Sequence, residues 1–213
     1  MTRARDMANI AAGSFSIPSG SLTNATPAAG SITNAMLASN AITSASLPSG
    51  TVLQVVQTYK TDASSYAGSG VYHTVMSANI TPISTNSKVF ISTDLSYSYQ
   101  SGQLQYEWLF YFDRTIAGGS AIKIGAADAA GSRETGAFQP TSLSSGSADD
   151  HVALGTISNS FLDAPLTTSQ ITYALKFRSH GNTFYVNRSR TDYDGTGFSK
   201  RLTSNFTLME IAG

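Results

Sequence analysis

The 213-residue chain contains no cysteine. Disulfides, thiolate metal sites and a cysteine nucleophile are therefore excluded, and stability must come from a core or from association of copies. Charge is scarce as well: 12% of residues are charged, about half of the ~25% usual in soluble domains. Thirteen basic residues balance thirteen acidic ones, so attraction to nucleic acid or to anionic membrane is not expected. No run of ~18 apolar residues occurs, and no membrane insertion is expected. The opening "MTRARDMANIAAG" has basic residues but no continuous apolar block behind them, and reads as no signal peptide.

Catalytic signatures are missing too. The three histidines, His73, His151 and His180, share no metal-ligand spacing. Glu107 and Asp113 lie on one face of one predicted strand, which does not make the two-sided cleft that glycoside hydrolysis requires. There is no phosphate-cradling glycine loop and no GxSxG. "RTDYDGTG" (190–197) echoes a calcium loop but lacks the completing Glu, and an Asp-Gly turn is the simpler reading. The chain is expected not to be an enzyme and to carry no metal or cofactor.

What is present begins with hydroxyls: 32 Ser and 24 Thr, a load suited to strands and turns. Between Asp6 and Lys60 there is no charge, and "IPSGSLTNAT", "PAAGSITNAM", "LASNAITSAS" and "LPSGTVLQVV" repeat every ten residues. An apolar residue or Pro falls at every fifth position: Ile17, Leu22, Pro27, Ile32, Leu37, Ile42, Leu47 and Val52. That beat matches neither helix nor flat strand. One sizeable side chain in five buries too little to offset the entropy of ordering the rest. A flexible linker and a pentapeptide β-helix are alternatives. The preferred reading is a multi-chain shaft, most simply of three copies, with the fifth residues lining its axis.

From Thr51 onward the chain reads as all-β. Val89, Ile91, Thr93 and Leu95 share one face of "KVFISTDLSYSY" (88–99). Leu104, Tyr106, Trp108, Phe110 and Phe112 share one face of 103–114, while Glu107, Leu109 and Tyr111 occupy the other, as in a strand covered on both sides. "HVALGTISNSF" (151–161) changes phase at Gly155, which suggests a bulge. "QITYALKFRSHGNTFYVNRSR" (170–190) reads as a hairpin turning at His180-Gly181-Asn182, and "SNFTLMEIAG" as a final strand. Nine or ten short strands imply an antiparallel β-sandwich, jelly-roll-like. Residues 117–150 are expected to form a long excursion at one end. Tyr97, Tyr99, Asp192, Tyr193 and Asp194 are candidate receptor-binding groups, of the ring-and-carboxylate kind that binds sugars. Asn187-Arg188-Ser189 and Asn205-Phe206-Thr207 match the glycosylation spacing but sit in predicted strands.

"GSITNAMLASNAITSASLPSGTVLQVVQ" and "GNTFYVNRSRTDYDGTGFSKRLTSNFTLMEIAG" resemble the repeat-to-strand junction and the carboxy-terminal ending of tailed-bacteriophage fibre and virion structural proteins. The resemblance covers roughly residues 1–57 and 170–213. It implies a homotrimeric fibre located on the virion and made in the host cytoplasm, attached by its amino terminus, with a distal β-rich domain that contacts the host. On that basis residues 1–16 are an attachment peptide, 17–50 the shaft and 51–213 the head. Arg3, Arg5, Met7, Ile10 and Phe15 are expected to dock on other virion proteins, the Arg residues on carboxylates and Phe15 in a pocket. A host surface glycan or protein is the expected distal partner. Three roles stay open: a host-binding tail fibre, which leads; a head fibre, decoration or tail-assembly protein; and a virion glycan-degrading enzyme.

Overall fold

A computed structural model describes residues 46–99, 108–140, 154–195 and 199–213. The attachment residues Arg3, Arg5, Met7, Ile10 and Phe15, and the shaft positions Ile17, Leu22, Pro27, Ile32, Leu37 and Ile42, lie outside them. So do Leu104, Tyr106, Glu107, His151 and Val152.

Eight strands make up the described part: β1 (Val52–Lys60), β2 (Ser64–Ile80), β3 (Lys88–Tyr99), β4 (Trp108–Ile116), β5 (Ile122–Ile124), β6 (Gly155–Asp163), β7 (Ile171–Val186) and β8 (Ser204–Ile211). Every pairing is antiparallel. Two sets of four emerge from the ladders. The first runs β1-β8-β3-β6 and the second β2-β7-β4-β5. They join where Tyr97–Tyr99 of β3 pair with Phe184–Val186 of β7, so the whole is one sheet curling over on itself.

Two strands are far longer than the expected short ones. β2 has 17 residues and β7 has 16. The predicted hairpin at His180-Gly181-Asn182 is corrected by this: β7 continues through those residues, and β2 pairs along its whole length from Ser64↔Val186 to Ile80↔Ile171. Three irregularities in the β2 register, near Ala67, Gly70 and Val75, let the ribbon bend. Gly68 and Gly70 hold positive φ of 118° and 69° there, conformations that side chains rarely tolerate. The His-Gly-Asn segment is thus part of a ribbon that bends from one set to the other rather than a chain reversal. The β3–β6 ladder runs without a shift from Val89↔Asp163 to Tyr97↔Gly155 and ends there, so the expected bulge at Gly155, with Val152 on its other side, falls at the limit of the described residues.

The core lies between the two sets and is aromatic. Alternation in β3 buries Val89, Ile91, Thr93, Leu95, Tyr97 and Tyr99; β4 adds Trp108, Phe110 and Phe112, and β7 adds Ile171, Tyr173, Leu175 and Phe177. Phe177 and Phe184 flank Phe110, with ring centroids 5.2 and 5.5 Å away. Phe112 meets Phe206 of the first set at 6.2 Å. Such contacts add about 0.5–1.5 kcal/mol per pair beyond the burial of area itself.

β4 is covered on both faces, as its sequence suggests. On the second face Tyr111 meets Lys123 and Tyr72, and the edge of β4 is lined from within the predicted 117–150 excursion. β5 pairs with β4, and residues 137–138 return to bond Phe110: its N–H donates to the Phe138 carbonyl (2.9 Å) and its carbonyl accepts from Ala137 N–H (2.7 Å). Gly136 lies tight on the Leu109 side chain, and a Cβ there would meet the Phe110 carbonyl oxygen at 2.8 Å. Residues 122–124 and 136–138 lie along the sheet, and 141–150 lie outside the described residues.

Candidate functional site

The β7–β8 connection starts from Asn187, fully buried and held at φ 60°. Its Nδ2 donates to the carbonyls of Lys60 and Asp62 (2.9 and 3.0 Å), and its Oδ1 accepts from Ser204 Oγ (2.6 Å). The same Ser204 Oγ accepts from Ser96 N–H (3.0 Å). One side chain therefore ties β7, β8, β3 and the β1–β2 turn together. Its amide is committed inside the fold, so the glycosylation spacing at Asn187 marks a structural hub. Asn205 lies in β8 and donates to Asp94 Oδ2 (3.0 Å).

Beyond this hub, Arg188 and Arg201 form an antiparallel bridge, and Asp192 clamps both. Arg201 donates to its two carboxylate oxygens at 2.8 and 2.6 Å, and Arg188 lies 3.3 Å away. Asp192 has φ 47°, a left-handed conformation that Asp tolerates better than most side chains. With two guanidiniums on it, this carboxylate is a closure of the loop. Among the described residues no group of three or more His, Asp or Glu side chains could hold a metal ion.

The clamp leaves an open cleft of about 500 Å³ lined by Asp192, Tyr193, Asp194, Gly195, Ser199, Lys200 and Arg201. The Tyr193 ring lies beside Gly195, where a side chain would collide with it. Tyr193 N–H donates to Ser199 Oγ (2.8 Å) and Gly195 N–H to the Tyr193 carbonyl (3.0 Å). Tyr193 is 57% exposed. An exposed ring beside an exposed carboxylate and two cations can stack on and hydrogen-bond a hydroxyl-rich ligand.

Of the five candidate receptor residues, the structure brings Asp192, Tyr193 and Asp194 together here and removes the other two. Tyr97 is 0% exposed and Tyr99 6%. Tyr97 stacks on Phe184 at 5.5 Å, and Tyr99 packs on Trp108 at 5.3 Å. Both are core residues and offer no surface to a ligand. The parity that places Val89, Ile91 and Leu95 inward extends to them, and that signal was legible in the sequence. Of the shaft positions, Leu47 is half-buried and Val52 exposed at the start of β1.

A second polar surface went unnoticed in the sequence, on the outer face of β2-β7-β4-β5. Arg178 donates to Glu134 Oε2 (2.7 Å) and lies 5.6 Å from the exposed ring of Tyr72, whose hydroxyl donates to Glu134 Oε1 (3.3 Å). Lys123 sits 4.3 Å from the Tyr111 ring, and Lys176 pairs with Asp113 at 3.1 Å. Burial, then the nearby Asp113 charge, pushes the Tyr111 phenol up to about 12. Finding this cluster required the register that sets Arg178 opposite both Tyr72 and Leu109.

No protein-family model matches the chain, and no curated protein matches it. Among solved structures, the chain is similar to that of infectious bursal disease virus Gx strain, at 17% identity and a TM-score of 0.36, covering 78% of this chain and 34% of the other. The structure of the Gt strain of the same virus gives 12% identity and a TM-score of 0.36, with coverage of 76% and 42%. The crystal structure of the infectious bursal disease virus VP2 subviral particle gives 14%, 0.28, 74% and 41%. The chain thus spans well under half the length of the chains it matches, and TM-scores below 0.5 fix neither kinship nor function.

Proposed function

We propose that this chain is a virion structural protein, a homotrimeric tailed-phage fibre whose amino-terminal peptide docks on the particle. Its decapeptide repeats form the shaft and its carboxy-terminal domain meets the host surface. The observation that carries the reading is the strand order β1-β8-β3-β6 and β2-β7-β4-β5. That is the order of a jelly-roll sandwich, an architecture shared by viral capsid and lectin domains. It follows directly on a charge-free repeat that has no use for its apolar beat as a single copy. The Tyr193 cleft and the Tyr72–Glu134–Arg178 surface are the candidate contacts for host glycan or protein, since binding groups gather on loops and faces of a rigid scaffold.

Light scattering on the full chain should give three times 22.4 kDa; a monomer at micromolar concentration would sink the trimer. Removing residues 1–16 should abolish incorporation into particles while the soluble trimer still binds host cells. Incorporation of the truncated chain would refute the amino-terminal anchor. If the soluble trimer never binds cells, and labelled protein appears on the capsid in electron micrographs, the host-binding role yields to a head-fibre or decoration role.

A further inference from the structure

We propose that the outer face of β1-β8-β3-β6 is a self-association surface of the head, covered in the assembly by a second copy of this chain. The proposal rests on the homotrimer reading and adds to it the place where the heads meet.

The register builds this surface from four strands. Val55 stands opposite Met209, Met209 opposite Phe90, and Phe90 opposite Leu162, so these four side chains form one unbroken apolar row across the sheet. Beside it, Val52 pairs with Ile211 on the same face. On the other side runs a row of uncharged polar groups, Gln57, Thr207, Ser92 and Ser160. The inward-facing residues alternate with these and are already buried in the core, so the row is not core that happens to be half covered. Val55 is 57% exposed, and Val52 and Leu162 are each 48% exposed. A sheet face left in water ordinarily alternates to polar side chains, and a contiguous apolar row on the surface marks an interaction site.

Two further observations select the occupant. First, the two central rows of this face are uncharged. The outer face of the other set carries Asp113, Lys123, Lys176 and Arg178, with Glu134 paired to it. The apolar row and its polar neighbour are uncharged, and the charges of this face, Lys88 opposite Ile211 and Asp94 opposite Asn205, stand to either side of them, so copies meeting on these two rows need bury no ion. Second, the repeat leads into β1 along the sequence. Val52 is the last of the eight pentad positions and also a member of the exposed face. Association along the repeat would bring the β1 strands of the copies, which begin at Val52, next to the repeat in sequence, near one another. β1 ends its set, with β8 as its one ladder partner among the described residues; its first eight residues are uncharged, and Gln54 and Thr58 reach across to the Thr81 and Ser77 carbonyls (2.8 and 2.7 Å).

The test uses the full chain. Val55→Glu with Leu162→Glu places charges at positions already exposed in the single copy, so circular dichroism and melting should stay near wild type under conditions where both are monomeric. Sedimentation across a dilution series should show association weakened at least about tenfold. Because the chain has no cysteine, single cysteines give an independent readout that leaves the surface nearly intact. A thiol at Val55→Cys should react with maleimide at least about tenfold more slowly than one at Thr74→Cys, an exposed site on the other set, and the difference should vanish on dilution to monomer. A wild-type chain that is monomeric throughout overturns the homotrimer reading and this proposal with it. A stable trimer whose mass and Val55→Cys reactivity ignore the row overturns this proposal alone. Protection of Val55→Cys that persists in the monomer assigns the face to residues 1–45 of the same chain, and also overturns it.

Discussion

Replacing Asp163 with Ala is expected to destabilise the head by about 3 kcal/mol, through loss of the ionic tie between its two strand sets. Asp163 ends β6 in the first set. Arg114 of β4 donates to both its oxygens at 2.9 Å, and the Tyr173 hydroxyl of β7 donates to Oδ2 at 2.7 Å. The carboxylate side chain is 8% exposed and the Arg114 side chain 16%. Breaking a buried pair by removing one partner costs about 3–5 kcal/mol, because the survivor is left charged and unpaired. Arg114 keeps some contact with water, which places the estimate at the low end. Tyr173→Phe removes one charge-assisted bond and leaves the ion pair, for about 1.5–3 kcal/mol. The apolar triple variant Arg114→Met, Asp163→Leu, Tyr173→Phe should regain most of the Asp163→Ala loss, since it leaves no orphaned charge. Urea unfolding followed by the fluorescence of Trp108, the single tryptophan and 1% exposed, reports the equilibrium. Protein concentration must be held fixed, because association would itself move the midpoint. A loss below about 1 kcal/mol for Asp163→Ala, or a triple variant no better than that single one, would refute the reasoning.

Three other expectations follow from the same structure. Asn187→Ala should destabilise by about 3 kcal/mol or more, combining lost hydrogen bonds with strain at positive φ; Asn187→Gly loses the same bonds without the strain and should lose less, and an Ala variant within about 1 kcal/mol of wild type in urea would refute the role of the bonds. Gly136→Ala should destabilise by about 1–3 kcal/mol by pressing on Leu109 and the Phe110 carbonyl, and an unchanged melting temperature would mean that residues 136–138 do not hold the edge of β4. In alkali, burial raises both Tyr111 and Tyr173, the latter helped by its bond to Asp163. The neutral phenols favour the fold, so this stability is complete below about pH 10, the ordinary phenol value, and is lost as pH rises through about 12 for Tyr111. Phenolate absorbance should therefore show Tyr111 and Tyr173 ionising together with unfolding; full ionisation of every phenol in a chain still folded by Trp108 fluorescence would contradict it.

Strand existence and facing are local properties, and the sequence by itself determined them wherever alternation was strong. β3 begins and ends at the residues that alternation suggests, Lys88 and Tyr99. β4 has apolar side chains on both faces because Leu109 and Tyr111 are covered as well as Phe110 and Phe112. The same parity carries the burial of Tyr97 and Tyr99, although aromatic rings of this kind also suit a sugar-binding surface. Pairing is different in kind. Whether His180-Gly181-Asn182 reverses the chain or bends it depends on what lies alongside, and β2, about a hundred residues earlier, supplies the partner that carries β7 straight through. The same holds for each polar centre. Asp163 finds Arg114 across 49 positions, Asn187 finds Lys60 across 127, and Glu210 accepts from Gln54 across 156. Whether a carboxylate becomes a ligand-facing group or a buried tie is decided by those distant partners. The apolar row Val55–Met209–Phe90–Leu162 makes the point most plainly: each side chain is unremarkable in its own strand, and only the register of three ladders sets them in line.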